Sequence, residues 1–173
     1  MSTHLCEMDV GSSVDFKHIP FNVKIQAPFK PKHIAMIVGG TGITPMIQAL
    51  HAILGSEERS KYKVTMLYGS KVSSDILGDE ILSQWARDYP ELFTHKNILS
   101  HEPDNSEWTG NRGYISLDLV KEDLPSASMG DDVIVFVCGP PPMMKAICGP
   151  REEKKVTGIL SEAGYIDSQV FKF

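Results

Sequence analysis

The chain has 173 residues, of which 42% are hydrophobic and 23% are charged, and its formal net charge at pH 7 is -5. This length suits one full domain, or one domain with a fragment of another. The negative charge argues against general nucleic-acid binding, which depends on clustered Lys and Arg. The three cysteines and six histidines have no metal-ligand spacing, so we predict no metal site and a reducing compartment.

Residues 1–32 are predicted to be the tail of a preceding β domain followed by a linker. The segments VDFKHI (14–19) and FNVKI (21–25) alternate weakly between apolar and polar residues, as strands do. Pro20, Pro28 and Pro31 interrupt them. We therefore predict a boundary at residue 33.

Residues 33–173 alternate between strand and helix patterns. Short runs of apolar and β-branched residues predict strands at 33–39, 62–69, 92–99, 132–139 and 169–173. Helical periodicity predicts helices at 44–55, 74–89, 116–124, 141–147 and 154–165. Such alternation indicates βαβ units, whose right-handed crossovers lay the strands parallel. The predicted fold is therefore α/β, a doubly wound parallel sheet of about five strands.

A glycine-rich turn, GGTGITP at 39–45, follows the first predicted strand. In doubly wound sheets, ligands bind beyond the carboxyl ends of the strands, which is where this turn is expected. Its three glycines can adopt positive φ and let a ligand approach backbone N–H groups. Thr44 is predicted to cap the next helix, and Pro45 in its first turn loses no needed donor. A phosphate is the expected ligand, although a tight turn without a ligand would also explain the glycines.

A second rigid turn, CGPPPMM at 138–144, follows the fourth predicted strand. Three successive prolines each fix φ at about -65°, so the turn is stiff. It places Cys138 at the same edge of the sheet as the glycine turn. From its residue type alone, Cys138 is either a small buried apolar residue or a reactive group, and the rigid proline turn weakens the first interpretation.

Together, these two turns resemble the paired motifs of the nicotinamide-binding domain of NADH-cytochrome b5 reductases, in the ferredoxin-NADP reductase-like superfamily. The resemblance extends through YGSKVSSDIL (68–77), RGYIS (112–116) and GILSEAGYIDSQVFKF (158–173). It implies hydride transfer from NADH to FAD, then single electrons to cytochrome b5 or a similar haem protein. It also implies an intracellular protein at the cytoplasmic face of a mitochondrial or endoplasmic reticulum membrane, with no anchor in this chain.

Of the flavin domain of this family, the resemblance covers only the last residues. Met1 and Ser2 match a Met-Ser pair of the family's FAD pyrophosphate site, so residues 1–32 are expected to be the remnant of an FAD-binding β-barrel domain. The family's main flavin motif, Arg-x-Tyr-Ser/Thr, is absent and is expected upstream. Either the chain is part of a larger reductase, or it is a free nucleotide-binding lobe.

The resemblance assigns the pyrophosphate end of an NADH site to the glycine turn. It implies that Gly40, Thr41 and Gly42 lie along the pyrophosphate and the nicotinamide ribose. Thr44 is expected to face the flavin, and Pro45 is included in the site.

At the adenosine end, the resemblance implies that Tyr68 and the loop after it border the nucleoside. Glu102 is expected beside the adenosine ribose, where a carboxylate accepts hydrogen bonds from the 2′-hydroxyl and repels a 2′-phosphate. This favours NADH over NADPH. The alternative for Glu102 is a solvated acid in a loop.

At the nicotinamide end, the resemblance gives Cys138 the catalytic position. Its expected role is to help hold the nicotinamide near the flavin, because hydride transfer needs alignment rather than a thiolate. Gly139, Pro140 and Pro141 set the same edge, and Met143 is expected to pack against the cofactor.

Two other functions share these motifs. The chain could be the reductase portion of nitrate reductase or of a similar multidomain flavoprotein. It could also be a flavin-free nucleotide-binding module without activity.

Overall fold

The computed structural model describes residues 2–15 and 27–173. The helices in these residues are α1 (Ser2–Cys6), α2 (Ile43–Leu54), α3 (Asp79–Asp88), α4 (Leu117–Asp123), α5 (Pro141–Ile147) and α6 (Gly158–Glu162). The strands are β1 (His33–Gly39), β2 (Lys63–Ser70), β3 (Phe93–Leu99), β4 (Asn111–Arg112), β5 (Val133–Cys138) and β6 (Val170–Lys172). Within this part of the chain, no helix has the length and apolar character needed to cross a bilayer.

The strands form one parallel sheet in the order β4-β3-β2-β1-β5-β6. The first strand, β1, lies between β2 and β5, so the chain winds outward from it in both directions. This arrangement creates a switch point at the carboxyl ends of β1 and β5, where ligands bind in open α/β sheets. The doubly wound parallel sheet predicted from the sequence is confirmed.

Helices cover both faces of the sheet. Successive β1 residues point to opposite faces, so Ile34 and Met36 join one core cluster, with α2 and α3. Ala35 and Ile37 join the other, with α4, α5 and α6. Because β1 is buried on both faces from Ile34 to its end, its unbroken apolar sequence is the one that a central parallel strand requires.

The predicted elements differ from the structure mainly at glycines. The helix predicted at 74–89 begins only at Asp79, because Gly78 at its N-cap has a φ of +70°. The helix predicted at 154–165 is shortened to α6, which has positive-φ glycines at Gly158 and close after its end at Gly164. Strand β4 was not predicted, since two residues carry no periodicity.

Near the N-terminus, α1 was not predicted either, because residues 1–32 were assigned to the end of a β domain. The strand predicted at 14–19 lies outside the described residues from residue 16 onward, and the strand predicted at 21–25 lies wholly outside them. The domain boundary at residue 33 stays a prediction.

Candidate functional site

The two turns identified from the sequence meet at the carboxyl edge of the sheet. Val38 pairs with Cys138 in the register of β1 and β5, so both strands end side by side. A Cβ on Gly42 would overlap the carbonyl group of Cys138, and a Cβ on Gly39 would overlap the Met143 sulfur. At Gly42 the turns therefore pack backbone against backbone, whereas at Gly39 the side chains of Met143 and Pro140 occupy the space that a Cβ would need.

Of the three glycines in the first turn, only Gly40 adopts positive φ, at +52°. The φ of Gly39 is -132° and that of Gly42 is -61°, so these two do not use the positive φ that is open to all three glycines. They are needed instead for the close approach of the second turn. Gly40 has open space where a Cβ would stand, so its face is free for a ligand.

Helix α2 begins directly after this turn, and no side chain caps it. Its N-cap is Gly42, and Thr44 is already the second helical residue. The Thr44 hydroxyl donates to the carbonyl of Thr41 over 3.2 Å, so the predicted capping role of Thr44 is wrong. Pro45 lies in the first turn as predicted.

An uncapped helix N-terminus beside an open glycine fits a phosphate ester, because the helix dipole favours negative charge there. Thr41 and Thr44 are both exposed at this edge.

Cys138 is the last residue of β5 and is partly buried. Burial raises the pKa of its thiol, while the charge of Arg151 lowers it to a smaller extent. The thiol is therefore protonated at neutral pH, which suits the positional role given to Cys138 and not that of a nucleophile.

The proline turn continues from Cys138 into α5. Pro140 occupies its N-cap, and Pro141 is its first residue. Both prolines are exposed, and Gly139 is partly buried. The Met143 sulfur lies against Gly39 and Gly139, so this side chain joins the two turns. Its predicted contact with the cofactor stays a prediction.

Tyr68 is not a surface residue of the site, because its side chain is 0% exposed. Its hydroxyl donates to the carbonyl of Gly40 over 3.1 Å and accepts from the N–H of Leu77 over 3.2 Å. Burial raises the pKa of Tyr68 above its ordinary value, so the hydroxyl keeps its proton. The predicted contact of Tyr68 with adenosine is therefore wrong in this structure. Tyr68 instead supports the glycine turn from the core side of the sheet, through its hydrogen bond to the Gly40 carbonyl.

Glu102 lies in the loop after β3 and binds the loop after β2. Its carboxylate accepts from the backbone N–H of Ser73 over 2.7 Å and from the Ser73 hydroxyl over 3.1 Å. The backbone hydrogen bond from Ser73 is the main cause of a pKa below the ordinary carboxyl value. A carboxylate has further lone pairs, so the ribose contact stays a prediction.

Ser73 and Arg112 are site residues that the sequence reasoning missed. The Arg112 guanidinium donates to the carbonyls of Glu102 over 2.8 Å and Trp108 over 3.0 Å, and also to Pro103 and Ser106. It thereby fixes the loop that carries Glu102. The bonds of Ser73 to Glu102 join separate loops, and those of Arg112 run from β4 back to residues 102–108, mostly to backbone carbonyls. No local sequence pattern reveals either set.

Met1 and Ser2 were assigned to a flavin site, and no described contact brings them to the edge of the sheet where the two turns meet. Met1 lies outside the described residues, and Ser2 is the first residue of α1. Their role at FAD stays a prediction.

Comparisons with known proteins agree with this geometry. Residues 36–149 match the family model described as an oxidoreductase NAD-binding domain. The chain is 42% identical over 177 residues to NADH-cytochrome b5 reductase 2 of Neurospora crassa, covering 100% of this chain and 50% of that protein. It is also 42% identical to NADH-cytochrome b5 reductase 2 of Pyricularia oryzae, covering 100% of this chain and 52% of that protein. The chain thus spans about half the length of these relatives.

Solved structures share the fold. The cytochrome b5 reductase domain of Ulva prolifera nitrate reductase matches with a TM-score of 0.70 at 29% identity, over 83% of this chain and 50% of that chain. The CS-b5R domains of human Ncb5or in the NAD+ form match with a TM-score of 0.68 at 22% identity, over 98% of this chain and 44% of that chain. The second likeness supports the fold alone.

The doubly wound sheet, with the glycine turn and the proline turn packed together at its switch point, defines a dinucleotide-binding domain. With the matched family model, this chain belongs to the oxidoreductase NAD-binding domain family. The resemblance to NADH-cytochrome b5 reductases that the paired turns indicated is confirmed by the relatives at 42% identity.

Proposed function

We propose that this chain is the NADH-binding part of a flavin-dependent reductase of the NADH-cytochrome b5 reductase type. The observation that carries the proposal is the contact between the turns after β1 and β5, where Gly42 faces the Cys138 carbonyl. The same edge presents the open face of Gly40 and the uncapped start of α2. Such an edge binds a dinucleotide pyrophosphate and places the nicotinamide beside the second turn.

In this proposal, each part of the edge has a distinct task. Gly40 and the N-terminus of α2 bind the pyrophosphate, and the protonated, partly buried Cys138 provides a small contact beside the nicotinamide. Glu102 accepts from the adenosine ribose and repels a 2′-phosphate, so NADH is preferred to NADPH. NADH, when bound, supplies a hydride, and the chain's residues contribute binding and alignment.

FAD and the electron acceptor belong to the complete protein in this proposal. The relatives are about twice as long as this chain, and their remaining half would supply the flavin domain. An apolar groove beside the site, lined by Phe29, Pro45 and Phe173 among others, suits contact with such a domain. Cytochrome b5 or a similar haem protein would take the electrons. A location at the cytoplasmic face of a mitochondrial or endoplasmic reticulum membrane is part of the same proposal.

A second candidate is the reductase portion of nitrate reductase. The Ulva prolifera domain favours it, with its TM-score of 0.70 at 29% identity. The two candidates differ in the domains that accompany this one. A haem or molybdenum domain in the full-length transcript would select the second candidate, and a flavin domain alone would select the first.

Calorimetric titration of the purified chain with NADH, NADPH and ADP-ribose tests the binding function. We expect binding of NADH and ADP-ribose, and weaker binding of NADPH. Gly40→Ala should weaken NADH binding, since alanine at a φ of +52° costs about 1–2 kcal/mol and occupies the open face. Gly130→Ala is the control for loss of stability, because alanine is strained at the φ of +60° and ψ of -126° of Gly130, which precedes β5 at the opposite edge. A chain that binds no dinucleotide, or equal losses in both variants, would refute the proposal.

A further inference from the structure

Tyr68 joins two separate loops through one hydroxyl group. The residue lies near the end of β2, and its ring is wholly buried in the core that faces α2 and α3. Its hydroxyl stands between the glycine turn, where it donates to Gly40, and the loop at 71–77, where it accepts from Leu77. Both loops lie at the carboxyl edge of the sheet.

The two backbone groups depend on this hydroxyl to different degrees. The Gly40 carbonyl also accepts from the N–H of Ile43 at the end of its own turn. For the Leu77 N–H, Tyr68 is the acceptor found among the described residues. Removing the hydroxyl would therefore release Leu77 and leave the glycine turn with its local bonds only. The separation of the two loops would no longer be fixed.

The loop at 71–77 is held at its other end by Glu102. That carboxylate binds both the N–H and the hydroxyl of Ser73. The His101 N–H also donates to the Lys71 carbonyl over 2.8 Å. The loop is thus anchored on two sides, first toward β3 by Glu102 and His101, and second toward the glycine turn by Tyr68. Because Tyr68 provides the second anchor, it sets where the loop stands relative to Gly40.

We propose that Tyr68 is a positioning residue for the bound dinucleotide. Its hydroxyl fixes the spacing between the glycine turn and the 71–77 loop, and this preorganises the ADP half of the site before a ligand enters. Preorganisation raises affinity because the loops are already ordered before the ligand binds, so binding does not have to offset the conformational entropy lost in ordering them. The inference rests on the proposed function for its ligand, but the bridge itself is a property of the free chain.

Tyr68→Phe tests the proposal, because it removes the hydroxyl and keeps the ring. Tyr62→Phe is the matched control: Tyr62 is 7% exposed, and its hydroxyl donates to the carbonyl of Phe29 over 3.0 Å. Tyr62 precedes β2, at the opposite edge of the sheet. Tyr62→Phe loses one buried hydrogen bond to a carbonyl. Tyr68→Phe loses one bond of the same kind and also the bond from the Leu77 N–H, so its stability should fall somewhat further.

Affinity should separate the two variants. Tyr68→Phe is expected to raise the Kd for NADH and for ADP-ribose by about 5- to 30-fold, the effect of one or two lost hydrogen bonds. Tyr62→Phe should leave both Kd values within about twofold of the wild type. In the full-length reductase, Tyr68→Phe should raise KM far more than it lowers kcat. Equal Kd changes in the two variants would overturn the proposal.

Hydrogen exchange in the ligand-free chain gives a readout that does not need binding. In the wild type, the Leu77 amide should be protected. In Tyr68→Phe, peptides covering 38–46 and 71–78 should exchange faster together, while Tyr62→Phe should leave them unchanged. A wild-type Leu77 amide that exchanges freely, or unchanged exchange in Tyr68→Phe, would overturn the bridge. If the wild type bound no NADH, the proposed function would fall, and the exchange data would still decide the bridge.

Discussion

The contact between the two turns predicts a large effect for Gly42→Ala. A Cβ at this position would overlap the carbonyl group of Cys138 and press on the N–H of Gly139, and all of these obstacles are backbone atoms. Backbone held in a central sheet yields less easily than the end of a flexible side chain. One turn must move by on the order of 1 Å to restore ordinary contact distances.

The cost follows from this overlap. Inserting a methyl group into a well-packed contact costs about 1–3 kcal/mol, which for a chain of this size lowers Tm by roughly 2–12 °C. Displacing the two turns also misplaces both ends of the ligand site. We expect the Kd for NADH to rise at least about tenfold, because errors of this size in a positioned site are costly.

Gly69→Ala is the matched control for this substitution. Gly69 lies on β2 beside Gly39, and a Cβ there would meet the Val38 carbonyl at 3.5 Å and Ile115 at 3.8 Å. These are ordinary contacts, so stability should stay within about 0.5 kcal/mol of the wild type. Thermal unfolding and NADH titration of both variants are the assays. Wild-type behaviour of Gly42→Ala, or equal damage in Gly69→Ala, would refute the reasoning.

Four further predictions concern the chemistry of the site and the packing of two cysteines outside it. Cys138→Ala in the full-length reductase should slow hydride transfer, measured by stopped flow, more than it weakens NADH binding; equal losses would contradict the positional role. Glu102→Thr should lower the NADH/NADPH ratio of kcat/KM, and an unchanged ratio would exclude the ribose contact. Because the pKa of Glu102 is lowered, its hydrogen bonds to Ser73 should persist at every pH above the ordinary carboxyl pKa of 4.5 and weaken only as the pH falls below that value. Hydrogen exchange at the Ser73 amide reports these bonds, and loss of its protection already at pH 6 would be inconsistent with the prediction. A thiol reagent should label exposed Cys6 first, whereas buried Cys148, whose pKa is raised to about 11, should react only after unfolding; fast labelling of Cys148 in the native chain would argue against the packing.

The sheet and the location of the site follow from local patterns. The strands β1 and β5 read as unbroken apolar runs, because central parallel strands are buried on both faces. Parallel strands end at one edge, so placing the two turns together needed no knowledge of side-chain contacts. The identity of the ligand depended on the resemblance carried by both turns.

The internal contacts of the site could not be predicted in the same way. Gly42 faces Cys138 across almost a hundred residues, and a glycine pattern does not distinguish contact with a ligand from contact with another turn. Tyr68 was mistaken for a ligand contact although a signal existed: it alternates with Val64 and Met66 on one face of a central strand. A tyrosine in such a position is buried, and its hydroxyl then needs a partner.

The most direct test of the account is a map of dinucleotide binding on the chain by amide NMR. Titration with NADH should shift the amide signals of Gly40, Thr41 and Thr44, those of the 71–77 loop, and those of Cys138 and Gly139. ADP-ribose lacks the nicotinamide, so it should reproduce only the shifts in the first turn and the 71–77 loop. Shifts confined to other parts of the chain, or at one turn without the other under NADH, would contradict a single site built from both turns.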